Sequence, residues 1–481
     1  MRNNIIGRKS EQDTLARIYE SKQSEFVAVC GRRRVGKTFL VREYFEEEMV
    51  FQTAGLAGAS TQEQLKNFFY TLRRYDKSAA VMPHDWLDAF EMLISYLDSL
   101  VNVERKVVFL DELPWMDTAN SGFISALEHF WNGWASARRD IVLIVCGSAT
   151  SWMMDKLINN HGGLYGRLTH RLFLQPFSLG ESESFLKAKG MMLSRYELAE
   201  VYMILGGIPY YLNLLDERLS VAQNIDRLLF NPNGELYNEF SILYRSLFKD
   251  SEAYVKVVEC LNERGYGMTR TEIAESAKMK SGKTLTTILD NLESCGFIRK
   301  YVNYGCSTRK ALYQLVDFFT LFYFRFLRDS SFKNLLSWSK LQRTPRFYAW
   351  AGISFEILAM NHIDQIKQKL GISGVATSLY SWRSKGGEST GVQENSRAAQ
   401  IDMVIERGDN TINLCEMKFS EGEFDITKDY EKVLRNKIAR FMEETKTRKS
   451  IQLTFVSSYG LHRNMYSGIA QNEVVLDDLF S

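Results

Sequence analysis

Two groups of residues in this sequence have types and spacings suited to chemistry. The first reads Gly31-Arg32-Arg33-Arg34-Val35-Gly36-Lys37-Thr38, followed by Phe39. Two glycines separated by four residues let backbone N–H groups converge on phosphate oxygens, and a helix N-terminus just behind them adds partial positive charge. Lys37 can reach the β- and γ-phosphates of a nucleoside triphosphate, and the Thr38 hydroxyl can ligate Mg²⁺. The context agrees: Phe26 to Cys30 is an apolar run of strand type, and Phe39, Leu40, Val41 and Tyr44 follow at helical spacing. A second Gly-Lys-Thr, Gly282 to Thr284, lacks both the first glycine, where Ala277 stands, and a preceding strand.

The run Lys106 to Leu110 ends in Asp111-Glu112. Consecutive apolar residues predict a strand buried on both faces, and acids at its C-terminal end sit where open α/β sheets hold ligands. Asp111 is then the carboxylate on the Mg²⁺ side and Glu112 the base that orients the attacking water. The bland alternative is a strand end with solvated acids. A third run, Ile141 to Cys146, ends at Gly147-Ser148-Ala149-Thr150, where Ser148 or Thr150 can sense the γ-phosphate or merely cap the next helix. Arg167 and Arg171 can complete a phosphate pocket, in cis or from a neighbouring subunit, or can simply be solvated. Gly206-Gly207-Ile208-Pro209 breaks a helical region.

The second group lies near the C-terminus. Gln400 to Ile405 and Thr411 to Lys418 read as a hairpin around Gly408-Asp409-Asn410. With a three-residue loop, Asp402 lies opposite Glu416, and Lys418, two residues on, shares their face. Glu356 is available from a helix expected to start near Gly352. Two or three carboxylates and a lysine can hold a divalent metal and activate water on a phosphodiester. A lysine beside such a metal should have its protonated form disfavoured. The alternative is a hairpin with a surface Glu–Lys pair.

The chain that positions these groups has 481 residues, 45% hydrophobic and 25% charged, with a net charge of +2. That length predicts two to four domains, and the near-neutral balance leaves any nucleic-acid contact to a local patch. Six scattered cysteines without a CxxC pair fit a reducing, cytoplasmic setting. No apolar run is long enough to span a membrane. Upstream of the first strand, a helix Ser10 to Tyr19 is expected, capped by Ser10. Helices are also expected over Gln62–Arg73 and Trp86–Val101, and a strand over Met49–Thr53. Ser178 to Phe248 reads as helical throughout. Helices Glu252–Arg264, Thr271–Ala277 and Ser281–Cys295, then strands Phe297–Val302 and Ala311–Leu315 flanking Asn303–Lys310, suggest a winged helix. Lys278, Lys280, Lys283, Arg309 and Lys310 give it DNA-facing charge, or a surface for clamping nucleotide or a partner. Aromatic-rich helices over Asp317–Leu327 and Phe332–Trp338 read as core.

Residues 1–250 resemble the archaeal and bacterial ATPases of the AAA+/STAND group of P-loop proteins. The resemblance lies in Ile6-Gly7-Arg8, Gly31 to Thr38, Leu110-Asp111-Glu112, Gly147-Ser148, Gly166-Arg167 with Pro176-Phe177, and Gly207-Ile208-Pro209. It implies ATP as ligand, with Arg32 to Val35 and Phe39 in the binding loop, Pro209 near adenine, and a lid that reports the nucleotide state. From Gly352 onwards the chain resembles the PD-(D/E)xK nuclease superfamily, with Ile401 in place of the proline of that name. The fold class expected is α/β: a P-loop parallel-sheet ATPase core (1–177), a helical lid (178–250), a winged helix (251–315) and a nuclease-like α/β domain (316–481). The expected function is ATP hydrolysis coupled to a metal-dependent nuclease-like effector on DNA, in a homo-oligomer. The alternative is a nucleotide-dependent switch or scaffold with an inactive nuclease fold.

Overall fold

The computed structural model describes residues 5–147, 150–158, 162–248, 250–328, 337–384 and 399–481, with backbone alone for Thr150 and Ser151. It divides into two compact units, one holding residues 1–177 with 208–210 and 246–249, the other holding the remainder.

The first unit is built on five parallel strands: β1 (Glu25–Gly31), β2 (Met49–Ala54), β3 (Lys106–Asp111), β4 (Ile141–Gly147) and β5 (His170–Leu174), in the order β2-β3-β4-β1-β5. Every residue of β1, β3 and β4 is buried, as their unbroken apolar runs require of strands covered on both faces. The edge strands β2 and β5 alternate instead. Helices Thr61–Tyr75, Trp86–Ser99 and Phe123–Gly133 cover one face through Phe68, Trp86, Phe90 and Phe123. Trp86 packs edge-on against Phe123 at 4.8 Å. Rings buried this way each contribute about 1.5–3 kcal/mol. Below the sheet, the buried Arg105 guanidinium donates to the carbonyls of Gln23 (2.8 Å), Arg139 (2.6 Å) and Ile18 (2.9 Å). The first helix differs from expectation. It runs Lys9–Glu20, and the residue ahead of it is Arg8 in a left-handed conformation, so Ser10 is inside the helix and caps nothing.

In the second unit, the region expected to be helical throughout is divided into short helices, among them Leu179–Ala188, Arg195–Leu205 and Glu239–Leu247. Ser178, Ser194 and Ser220 each start one with a reciprocal cap from the residue three on. Gly206 and Gly207, both at positive φ, end the second. Next come helix Ser251–Glu263, β6 (Met268–Thr269), helices Arg270–Ser276 and Lys283–Ser294, β7 (Ile298–Tyr301) and β8 (Leu312–Leu315). These strands form an antiparallel sheet in the order β6-β8-β7. The segment between β7 and β8 does not project freely along its whole length. Asn303 bridges Ser381, and Tyr304 N–H donates to Ser381 O at 2.8 Å.

The aromatic segment expected as core is core: Phe322, Phe326, Trp338 and Trp350 contact one another at steep angles. Most of the expected helix Phe332–Trp338 lies outside the described residues; a helical turn runs Trp338–Leu341. Helix Pro345–Asn361 starts from a Thr344 cap with proline in its first turn, earlier than expected, which places Glu356 well inside it. The last sheet has the order β13-β12-β11-β10-β9. Here β9 (Thr377–Arg383), β10 (Gln400–Arg407) and β11 (Thr411–Lys418) are antiparallel. Helix Lys428–Thr445 then crosses to β12 (Ser450–Ser457), which runs parallel to β11 and to β13 (Asn472–Val475).

His362, buried at the end of helix Pro345–Asn361, ties this unit together. Its Nε2 accepts the Leu179 N–H at 3.0 Å, so Nδ1 carries the proton and donates to Leu358 O at 2.8 Å. Desolvation lowers its pKa below the usual 6.5. The unfolded chain therefore takes up the proton first as pH falls, and stability drops as pH passes down through that value. Denaturant titrations should show about 1 kcal/mol less stability near pH 5.5 than near pH 8 from this site, and His362→Gln should flatten that slope.

Candidate functional site

Gly31 closes β1 at φ 149°, and a Cβ there would stand 2.5 Å from Leu174 O, so the loop leaves the strand where only glycine fits. Gly36, at φ 92°, precedes helix Lys37–Tyr44. Lys37 is buried, and its Nζ donates to the carbonyls of Gly31 and Arg32, both at 2.9 Å. The ammonium is thus held inside the curve of its own loop. Arg32 and Val35 are buried, Arg33 and Arg34 half-buried, and Phe39 is exposed.

The Thr38 hydroxyl donates to Asp111 Oδ2 at 2.8 Å, and Glu112 N–H donates to Asp111 Oδ1 at 2.9 Å. Residues 73 positions apart meet because β1 and β3 are parallel and end at the same level, with β4 between them. Glu112 has a left-handed backbone (φ 46°, ψ 48°), uncommon for a residue with a side chain. Gly55 permits this turn: a Cβ there would lie 2.6 Å from Glu112 O.

Sequence reasoning missed two contacts on the loop. Arg8 donates from Nη2 to Val35 O at 3.0 Å and lies 4.7 Å from the Phe177 ring centre. The Arg34 guanidinium lies 4.4 Å over the ring of Tyr210. Pro209 starts the helix Pro209–Asn213, and Tyr210 follows it. Arg167 and Arg171 are exposed, and Arg171 pairs with Ala28, in mid-strand. Ser148 and the Thr150 side chain lie outside the described residues. Burial pushes the Cys30 thiol up to about 12 and Cys146 well above its usual value, so neither is a nucleophile. Gly282 precedes helix Lys283–Ser294 with no strand before it, unlike the true loop.

At the C-terminal group the β10–β11 register pairs Met403 with Cys415, which sets Asp402 opposite Glu416. Asp402 is 9% and Glu416 3% exposed. Asp402 Oδ2 accepts the Met417 N–H at 2.9 Å. Glu416 Oε1 accepts from Lys418 Nζ (2.8 Å) and the Tyr430 hydroxyl (2.6 Å), and Oε2 from Lys437 Nζ (2.7 Å). Tyr430 and Lys437 were not foreseen; their signal is a spacing of seven on one helix, which places both on the same face. Among the described residues no three His, Cys, Asp or Glu side chains are gathered as a metal cage.

The charges are strongly unequal. Burial, then the Glu416 charge, pushes Asp402 up to about 6. Burial, then Asp402, pushes Glu356 up to about 8. Burial also opposes ionisation of Glu416, but Lys418 and Lys437 outweigh it and hold this carboxyl below its usual value. Lys418 is held by its neighbour. Desolvation alone would lower its pKa, but the Glu416 carboxylate at 2.8 Å raises it above the normal range, so its protonated form is favoured. Lys418 and Glu416 thus form a buried ion pair.

Lys278, Lys280, Lys283, Arg309 and Lys310 are all exposed. No helix among the described residues is long and apolar enough to cross a membrane.

Residues 6–215 match a family model described as an ATPase domain predominantly from Archaea. The uncharacterized protein MJECL04 of Methanocaldococcus jannaschii is 26% identical over 325 residues, covering 67% of this chain and 69% of that protein. Among solved structures, the Walker-type ATPase of Pyrococcus abyssi superposes with a TM-score of 0.51 at 19% identity, over 66% of this chain and 96% of that one. The Aeropyrum pernix ORC2 protein, solved in ADPNP–ADP complexes, gives a TM-score of 0.42 at 15% identity, over 75% and 97% of the two chains. Residues 6–215 thus join a five-stranded parallel sheet, a glycine loop with its lysine and hydroxyl, and the carboxylate that closes β3 to a similarity with that ATPase-domain family.

Proposed function

We propose that the protein binds ATP with Mg²⁺ at the loop Gly31–Thr38 and hydrolyses it, and that the nucleotide state controls the rest of the chain. The observation that carries this is the Thr38–Asp111 bond: a hydroxyl and a carboxylate, both hard oxygen donors, converge beside the phosphate loop. A bound Mg²⁺ would neutralise phosphate charge there. Lys37 leaves its two loop carbonyls to meet the β- and γ-phosphates, and Glu112 accepts a proton from the attacking water and aligns it. Pro209 and Tyr210 put the lid segment in touch with the loop through Arg34, which gives nucleotide binding a direct route to that segment.

Residues 251–315 have the helix and strand order of a winged helix, with lysines at the start of its third helix, and we assign them to DNA contact. Residues 316–481 are assigned as a nuclease-like effector, with Asp402, Glu416 and Glu356 as metal-holding carboxylates and Lys418 as the cation that steadies a phosphate. A second reading, a scaffold with an inactive nuclease fold, is favoured by one observation: Glu416 already accepts from Lys418, Tyr430 and Lys437. Loading a metal there requires Lys437 to give way.

Lys37→Ala should weaken ATP binding about 100-fold by calorimetry, because charge-assisted contacts to phosphate are lost. Glu112→Gln should keep ATP affinity and lower phosphate release about 100-fold, since the amide retains the shape but accepts no proton. Unchanged release would move the base elsewhere. In the C-terminal domain, Asp402→Asn keeps an acceptor for the Met417 N–H and removes a charge whose pKa is raised. An acid of raised pKa destabilises the fold as pH climbs through it. The variant should therefore be about 1–3 kcal/mol more stable than wild type near pH 8, with the gap closing below about pH 4. Metal-dependent nicking of plasmid DNA by wild type, abolished by Asp402→Asn, separates the effector from the scaffold. No nicking with Mg²⁺ or Mn²⁺, with or without ATP, favours the scaffold.

A further inference from the structure

The side chains around the C-terminal carboxylates do not all come from the last sheet. In the small antiparallel sheet Arg299 of β7 pairs with Gln314 of β8, and Tyr301 with Leu312, so these side chains leave one face. Arg299 Nε donates to Gln314 Oε1 at 2.9 Å, and Nη2 donates to the same oxygen. The guanidinium lies 5.3 Å from the Tyr301 ring centre. Gln314 Nε2 in turn donates to Gly265 O at 2.8 Å, and a Cβ on Gly265 would stand 3.5 Å from Ile353 Cδ1. Ile353 is one turn before Glu356 on helix Pro345–Asn361. Tyr301 and Leu312 also line a groove of about 220 Å³ together with Gln400, two residues before Asp402. This face of the small sheet is therefore turned towards the helix that carries Glu356 and the strand that carries Asp402.

Arg299 and Glu356 act on each other across that gap. Desolvation is the main pressure on both, and each also favours the other's charged form. The balance of charge sets Arg299 apart. Lys418 and Lys437 both bond Glu416, at 2.8 and 2.7 Å. Among the described residues Arg299 has no carboxylate at hydrogen-bonding or ion-pair distance, and its Nη1 has no partner. Near neutral pH Glu356 holds its proton, so two charged carboxylates, Asp402 and Glu416, face three cations. The surplus charge sits on a planar fork with N–H groups to spare, which suits a phosphate held by two bonds.

We propose that Arg299 binds a backbone phosphate of DNA beside the C-terminal carboxylates, so that the small sheet supplies part of the substrate site. The assignment rests on the nuclease-like reading of that site. Lys418 steadies the reacting phosphate, and Arg299 takes a neighbouring one, which fixes the strand across the carboxylates.

The test is fluorescence anisotropy of a short labelled DNA duplex with the full-length protein in EDTA, over a series of salt concentrations. Arg299→Gln should weaken binding about 10-fold at low salt. It should also lower the slope of log affinity against log salt by about 0.9, the value of one phosphate contact. Arg299→Lys keeps the charge and should keep the slope. The slope reports charge at the contact and is insensitive to a reduced folded fraction, so it decides even where a variant melts lower. An unchanged slope in Arg299→Gln, a reduced slope in Arg299→Lys, or no binding by wild type would each overturn the proposal. Wild type that binds the duplex but nicks no plasmid with Mg²⁺ or Mn²⁺ removes the nuclease reading alone, and the slopes still decide on Arg299.

Discussion

The hydrogen bond from Thr38 to Asp111 makes demands on the whole N-terminal unit. The two residues are joined only if β1 and β3 run in the same direction and end at the same level, with β4 filling the space between them. Parallel strands need crossovers, and the crossover helices must bury both faces of the sheet. The apolar runs of β1, β3 and β4 and the aromatic layer of Phe68, Trp86, Phe90 and Phe123 follow from that requirement. A polar contact of 2.8 Å is held in place by a large apolar scaffold, and the scaffold needs the sequence to be hydrophobic in the places where it is.

Much of this was legible because local patterns were strong. Unbroken apolar runs marked the central strands, glycine spacing marked the loop, and the Gly408-Asp409-Asn410 turn fixed the β10–β11 register that sets Asp402 opposite Glu416. What stayed hidden was set by distant packing. Tyr210 reaches Arg34 from a helix beyond β5, and no spacing within either segment announces it. Lys437 reaches Glu416 from helix Lys428–Thr445 for the same reason. The start of the first helix was misread because Arg8 takes a left-handed backbone while its side chain is anchored on Val35, a tertiary contact that overrides the local signal from Ser10.

The C-terminal cluster shows how one neighbour can reverse a pKa argument. Burial disfavours charge on Glu416 and on Lys418 alike. Placed 2.8 Å apart, each becomes the reason the other stays ionised. Asp402 and Glu356 share the same region without a cation at hydrogen-bonding distance, and both are pushed towards neutrality. Glu356 therefore holds its proton near neutral pH, Asp402 takes one up only as pH falls to about 6, and Glu416 stays ionised, a division of labour that residue type alone does not express.

The tie between Asn303–Tyr304 and Ser381 has a mechanical consequence. A loop that hangs free can be immobilised without any effect on its surroundings. This one is bonded to β9, and the Tyr304 ring also rests on Tyr380 and Phe441. Stiffness imposed on the loop is therefore imposed on the outer edge of the last sheet as well. A ligand that quiets residues 303–310 removes configurational freedom from β9 in the same event, and a second ligand ordering that sheet has less entropy left to remove. Two surfaces joined in this way are cooperative even when neither changes shape.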